Sequence, residues 1–210
     1  MGSRTRVTPA NSVAGANPAR GFMKVLIACE FSGIVREAFR KRGHDAWSCD
    51  LLDSEIPGKH YKTDVRNVLN KGWDLMIAHP PCTYLCNSGV RWLYSEPGRG
   101  AKMKKDALFF KDLWQADIEC IAIENPIMHK YAKEIIGVNY SQIIHPWQFG
   151  HGETKQTCLW LKNLEELEPT DIVDGREPRV HFASPGPDRW KERSRFLTGY
   201  ADAMAEQWGK

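Results

Sequence analysis

Residues 24–43 read KVLIACEFSGIVREAFRKRG. Lys24–Cys29 is a short continuous apolar run, which suits a strand covered on both faces. Phe31–Gly33 turns the chain. Ile34–Arg42 then sets Val35, Ala38 and Phe39 on one face of a helix, and Gly43 closes it. The pattern recurs downstream. Ala46–Cys49, Asp74–Ala78, Cys120–Ile123 and Thr157–Leu161 read as strands. Asp106–Trp114, Tyr131–Ile136 (closed by Gly137) and Tyr200–Trp208 read as helices, and Asp64–Leu69 as a short helical turn. Strands that alternate with helices, each ending in a polar or proline-rich stretch, predict an α/β fold. Its sheet is open and mostly parallel, with helices on both faces. Ligands in such sheets bind beyond the carboxyl ends of the strands.

Composition bounds the rest. The 210 residues are 42% hydrophobic and 26% charged, enough for a real core and too few for a large two-domain enzyme. No apolar run approaches the ~20 residues of a membrane helix. Twenty-nine Lys and Arg against 26 Asp and Glu leave a net charge of +3, which permits a local basic surface for nucleic acid without demanding one. The cysteines at 29, 49, 82, 86, 120 and 158 are scattered, several within apolar segments. They predict free thiols in a reducing cytoplasm rather than a disulfide framework. Residues 1–22 are rich in Gly, Ala, Ser, Pro and Asn with no amphipathic period, so they are expected to be a disordered or appended leader, with one domain over residues 23–210.

The strand ends carry the candidate chemistry. After the first strand, Glu30-Phe31-Ser32-Gly33 allows a tight turn and close approach of a ligand to backbone amides. Asp50 after the second strand suits ribose hydroxyls, and Asp64-Val65 suits an adenine amino group. After the DLMIA strand, His79-Pro80-Pro81-Cys82 stops the strand and aims a thiol out of the sheet edge, where it serves as a nucleophile if its thiolate is favoured. After CIAI comes Glu124-Asn125-Pro126, whose carboxyl desolvation would hold protonated, ready to donate to a ring nitrogen. Singly, each also fits a plainer role: a strand–helix turn, capping aspartates, a buried thiol, an acid near a helix start.

Together, EFSG, HPPC and ENP in this order resemble the cytosine-C5 DNA methyltransferase family, and most closely its short phage and prophage members. HPPCTYL, IENP, HPWQFGHGETKQTCLWL and PDRWKERS extend the likeness over roughly Met23 to the C-terminus. The resemblance implies a Rossmann-like methyltransferase of the S-adenosylmethionine-dependent type, phage- or prophage-encoded and cytoplasmic in a bacterial host. Cys82 would attack C6 of cytosine, Glu124 would bind N3 and the amino group, and Asn125 would support it. Lys155 would stand near the nucleophile. Phe31, Ser32, Gly33, Asp50, Asp64, Val65 and Pro80 would hold S-adenosylmethionine, and Gly199 with the following helix would complete that pocket. DNA is the implied partner. Its backbone would meet Arg91, Arg99, Lys102, Lys104 and Lys105 after the nucleophile and Arg189, Lys191, Arg193 and Arg195 near the end. Tyr84 and Trp92 are candidates for stacking on a base.

The chain departs from the family in four places. Val35, followed by Arg36, stands where a second glycine is usual. Cys29-Glu30 alters the acid before the Phe. Pro126 ends the Glu-Asn motif, and a lysine replaces an arginine pair. Rival readings are an amino-methyltransferase, disfavoured by His79 and Cys82 flanking Pro-Pro; a same-scaffold enzyme modifying a cytosine nucleotide or transferring another group; and a catalytically inactive DNA-binding relic. A zinc module is a further rival, but His79, Cys82 and Cys86 lack a second close pair. The proline-rich interval from Lys162 to Thr198 is too short for a separate target-recognition domain of the usual ~50 or more residues. Sequence choice is therefore expected from short loops, a second copy such as a homodimer, or a specificity partner, or to be lax.

Overall fold

A computed structural model describes residues 21–179, 186 and 189–210; nearly all of the expected leader lies outside them. Among the described residues, seven strands form one sheet: β1 (Lys24–Ala28), β2 (Asp45–Asp50), β3 (His60–Lys62), β4 (Leu75–Ala78), β5 (Cys120–Asn125), β6 (Gln142–Ile144) and β7 (Thr157–Lys162). Their order is β3-β2-β1-β4-β5-β7-β6. The first five positions pair parallel, whereas β7 runs antiparallel to both β5 and β6. Among the described residues the α-helices are α1 (Ile34–Lys41), α2 (Arg99–Trp114), α3 (Lys130–Ile136), α4 (Arg189–Ser194) and α5 (Thr198–Trp208).

The unbroken apolar runs have the cause expected of them, since both faces of the central strands are covered. Val25 and Ile27 of β1 pack with Val35 and Phe39 of α1 and Met204 of α5. Leu26 and Ala28, pointing the other way, pack with Phe110 of α2 and Ala132 of α3. Trp160 of β7 is fully buried and meets Phe110 edge-on, ring centroids 5.1 Å apart. Burying each such side chain stabilises the fold by about 1.5–3 kcal/mol before entropy is set against it.

Several elements differ from the sequence reading. The helix expected at Asp106 starts at Arg99, behind Gly98 in a left-handed N-cap conformation. Its first two turns, RGAKMKKD, bury few apolar side chains, so the helical period shows only further along. Glu124 and Asn125 are the last two residues of β5 rather than a stop after it. The strands β3 and β6 have three residues each and lie at the sheet edges, too short to leave an apolar signature.

Candidate functional site

A cavity of about 400 Å³ opens at the carboxyl ends of β1, β2 and β4, a volume within the range of sites for small organic ligands. Phe31, Ser32, Asp50, Asp64, Val65 and Cys82 all line it. The topology therefore brings together six of the residues singled out from sequence, across a span of some fifty positions.

The β1 end is tightly built. Cys29, a non-glycine residue, has φ 58°, and Gly33 has φ 79°. A side chain at Gly33 would also lie 2.8 Å from the Arg36 guanidinium, so the turn requires glycine. Arg36 is fully buried and donates to Ser48 Oγ (2.8 Å), Ser54 Oγ (3.1 Å) and the Ile56 carbonyl (2.6 Å). The departure from a second glycine thus places a cation that pins the loop after β2, whose Leu51 and Leu52 also line the cavity. The Ser32 hydroxyl donates to Glu30 Oε1, while Glu30 Oε2 is buried with no partner.

Asp50 closes β2. Burial holds its carboxyl above the usual value, opposed by the Leu52 backbone N–H and His60. Asp64 lines the cavity and also caps a 3₁₀ turn, Val65–Asn67, accepting from the Arg66 backbone and guanidinium. That guanidinium holds the Asp64 carboxyl below its usual range. Gly33 and Pro80 lie outside the wall. Pro80 serves the site through its carbonyl, which accepts from Asn125 Nδ2 at 2.9 Å. That bond ties the Pro-Pro loop after β4 to the end of β5 and fixes Cys82 relative to Glu124. Gly199 is also outside; its amide donates to His151 Nε2 at 3.0 Å, and a side chain there would strike the Phe149 carbonyl. Phe196, just before α5, and Trp190 of α4 close the wall instead.

Cys82 is half-buried at the start of a turn, with the Leu85 and Cys86 amides donating to its carbonyl at 3.0 Å. Burial pushes its thiol up to about 11, with Cys86 and Glu124 adding to this and Lys155 opposing. The thiolate is thus disfavoured.

Glu124 overturns an expectation. Burial, the largest single influence, does push its carboxyl up. His79, Lys155 and Thr157 together outweigh it, and the group lies below its ordinary 4.5 as a carboxylate. The Thr157 hydroxyl donates to Oε1, and His79 Nδ1 stands 3.6 Å from Oε2. Lys155 Nζ donates to the Arg193 carbonyl at 2.9 Å, which anchors the segment before β7 to α4. Thr157 was not singled out from sequence, and His79 and Glu30 were named within their motifs but given no role in the proposed chemistry. His79 and Glu30 adjoin strand ends and so were within reach of the strand-end rule. Thr157 begins a reversed strand, which that rule does not cover.

The basic residues divide. Lys102, Lys104 and Lys105 are exposed on α2, and Arg91 is exposed on the 3₁₀ turn Asn87–Leu93 with its guanidinium over Trp92. Arg193 is exposed and Arg189 half-buried on α4. Arg99 is only 9% exposed; it pairs with Glu96 at 2.7 Å and lies over Tyr84. Arg195 forms a two-pronged pair with Glu55 at 2.8 and 2.9 Å. Internal contacts thus hold Arg99, contrary to the expectation that it faces phosphates, while Arg195 stays exposed with Glu55 as its partner. Among the described residues, no cluster of His, Cys, Asp or Glu is placed to hold a metal ion, and no helix is long and apolar enough to cross a membrane.

No family model matches the sequence, and neither does any curated protein. Among solved structures, the chain is similar to one described as a DNA modification methyltransferase encoded within an E. coli prophage. That likeness has 13% identity and a TM-score of 0.49, covering 78% of this chain and 55% of the other. A methyltransferase of Entamoeba histolytica gives 16% identity and a TM-score of 0.44, covering 73% of this chain and 58% of that one. The chain therefore spans little more than half the length of either.

Proposed function

We propose that this protein transfers a methyl group from S-adenosylmethionine to C5 of cytosine in DNA. The observation that carries it is the pairing of Cys82, on the cavity wall, with Glu124, locked to the same loop through Asn125 and Pro80. C5 of cytosine becomes nucleophilic only after a group adds at C6, and a thiol beside a carboxylate supplies both the addend and a partner for N3 and the exocyclic amine. A base in duplex DNA must leave the stack to reach such a thiol.

The cavity fits the methyl donor. Asp50 suits ribose hydroxyls, Phe31 and Trp190 offer aromatic faces 6.1 Å apart by centroid, and the unpartnered Glu30 Oε2 suits an ammonium group. Asp64 and Val65, also on the wall, suit the adenine. S-Adenosylmethionine, when bound, supplies an electrophilic methyl. Lys155 keeps positive charge near both Cys82 and Glu124. Arg91, Lys102, Lys104, Lys105, Arg189 and Arg193 are the proposed phosphate contacts, with Trp92, 40% exposed, beside them as a stacking surface.

Tritiated methyl transfer to unmethylated duplex DNA, with bisulfite mapping of the product and deoxycytidine monophosphate as a parallel substrate, tests this. Label at C5 of cytosine in DNA is the expected result. Cofactor binding without transfer to either substrate would overturn it.

A further inference from the structure

His79 stands where the mechanism above leaves a gap. Cys82 must lose a proton to attack, and N3 of the ring must gain one, yet Glu124 is held as a carboxylate with no proton of its own to give. The His79 ring lines the same cavity as Cys82. Its backbone N–H donates to the Ala28 carbonyl at 2.9 Å, and its ring packs on Phe196 with centroids 4.5 Å apart. Both ring nitrogens are buried and neither has a hydrogen-bond partner, an arrangement that calls for an explanation in a folded protein. Nδ1 lies 3.6 Å from Glu124 Oε2, just beyond hydrogen-bond length, while Thr157 occupies Oε1.

We propose that His79 is a relay residue that carries the Cys82 thiol proton to Glu124, and through Glu124 to N3 of the target cytosine. This rests on the cytosine-C5 reading. As the S–C6 bond forms, the C5=C6 π pair shifts to C4=C5 and the C4=N3 π pair moves onto N3. His79 Nε2 takes the thiol proton, its Nδ1 proton passes to Glu124, and Glu124 protonates N3. The proton that leaves sulfur is balanced by the one that reaches N3, and Glu124 begins and ends as a carboxylate. After C5 is methylated and its hydrogen is lost to solvent, the C6–S bond breaks. The N3 proton then returns by the same route and restores the thiol. A carboxylate that cannot be an acid by itself thereby acts as one.

The groups that face this pair come from several elements. Cys82 and Cys86 follow β4, Lys155 and Thr157 flank the start of β7, Cys158 follows them in β7, and Tyr200 comes from α5.

Two measurements separate the relay from the reading beneath it. In the free protein, ¹⁵N-imidazole NMR reads the His79 tautomer, and a proton on Nδ1, facing Glu124, with Nε2 unprotonated is expected. A proton held on Nε2 alone would overturn the relay whether or not the protein has activity. In turnover, His79→Gln and His79→Asn slow methyl transfer at pH 7 by about a hundredfold or more, within the range for one proton-transfer group. The deficit narrows as pH rises and hydroxide removes the thiol proton. A loss equal at every pH would mark a merely structural role and overturn the relay. Wild-type protein that binds S-adenosylmethionine but makes no 5-methylcytosine would overturn the cytosine-C5 reading on which the relay depends.

Discussion

The two sides of the sheet reach the site by opposite routes. In the parallel part, β1, β2 and β4 all run toward one edge, and the residues just after them, Phe31 and Ser32, Leu51 and Leu52, and Cys82, form the cavity wall. On the other side β7 runs backward against β5, pairing Glu124 with Leu159 and Asn125 with Cys158. Its first residue, Thr157, therefore arrives at that same edge, with Lys155 just before it. The parallel side supplies the cavity, Cys82 and His79; the reversed strand and the segment before it supply Thr157 and Lys155, which together with His79 set the charge of Glu124. The rule that chemistry follows a strand inverts for an antiparallel strand, where chemistry precedes it.

Breaking the parallel side has the largest expected effect. Cys82→Ser lowers methyl transfer by at least about three orders of magnitude, measured by tritium incorporation, while S-adenosylmethionine binding by calorimetry is retained. Glu124→Gln, at the junction of the two sides, lowers it by about 10²–10⁴-fold. Asn125→Ala cuts the tie to the Pro80 carbonyl and costs about 1–3 kcal/mol of stability in urea unfolding, with slower turnover because the Pro-Pro loop is no longer fixed.

Thr157→Val tests the reversed strand alone. The depressed Glu124 carboxyl contributes stability that is fully present above its ordinary 4.5 and is lost as pH falls through its lower folded value. Removing one of the groups that depress it therefore costs about 1 kcal/mol near neutrality. The gap between wild type and variant closes as the pH drops below 4.5. A gap independent of pH would show that Thr157 serves packing only. The smallest effect is expected on the outer surface. Alanine at Lys102, Lys104 and Lys105 weakens DNA binding, and the deficit shrinks at high salt.

The parallel half was legible because each of its central strands is an apolar run bounded by turn residues, a local signal. Phe31, Asp50 and Cys82 follow from position relative to those runs. The short edge strands β3 and β6 left no such signal, and the reversal of β7 depends on pairing between residues more than thirty positions apart. Asp64 shows a different limit. Its place on the wall and its capping role share one local sequence, and both are realised. Arg195 was unreadable as a paired residue because its partner, Glu55, lies 140 positions away, whereas Glu96, the partner of Arg99, is only three positions away. The charge state of Glu124 was beyond a strand-end reading, since His79, Lys155 and Thr157 meet only in the folded sheet.

Incubation with S-adenosylmethionine and duplex DNA carrying 5-fluorocytosine tests the pairing of Cys82 and Glu124 most directly. Fluorine at C5 cannot leave as hydrogen does, so addition at C6 followed by methylation traps the enzyme on DNA. A denaturation-resistant complex is expected, with mass spectrometry placing the bond on Cys82, and Cys82→Ser should abolish it. Methyl transfer to the exocyclic nitrogen of unsubstituted cytosine with no trapped complex would contradict it.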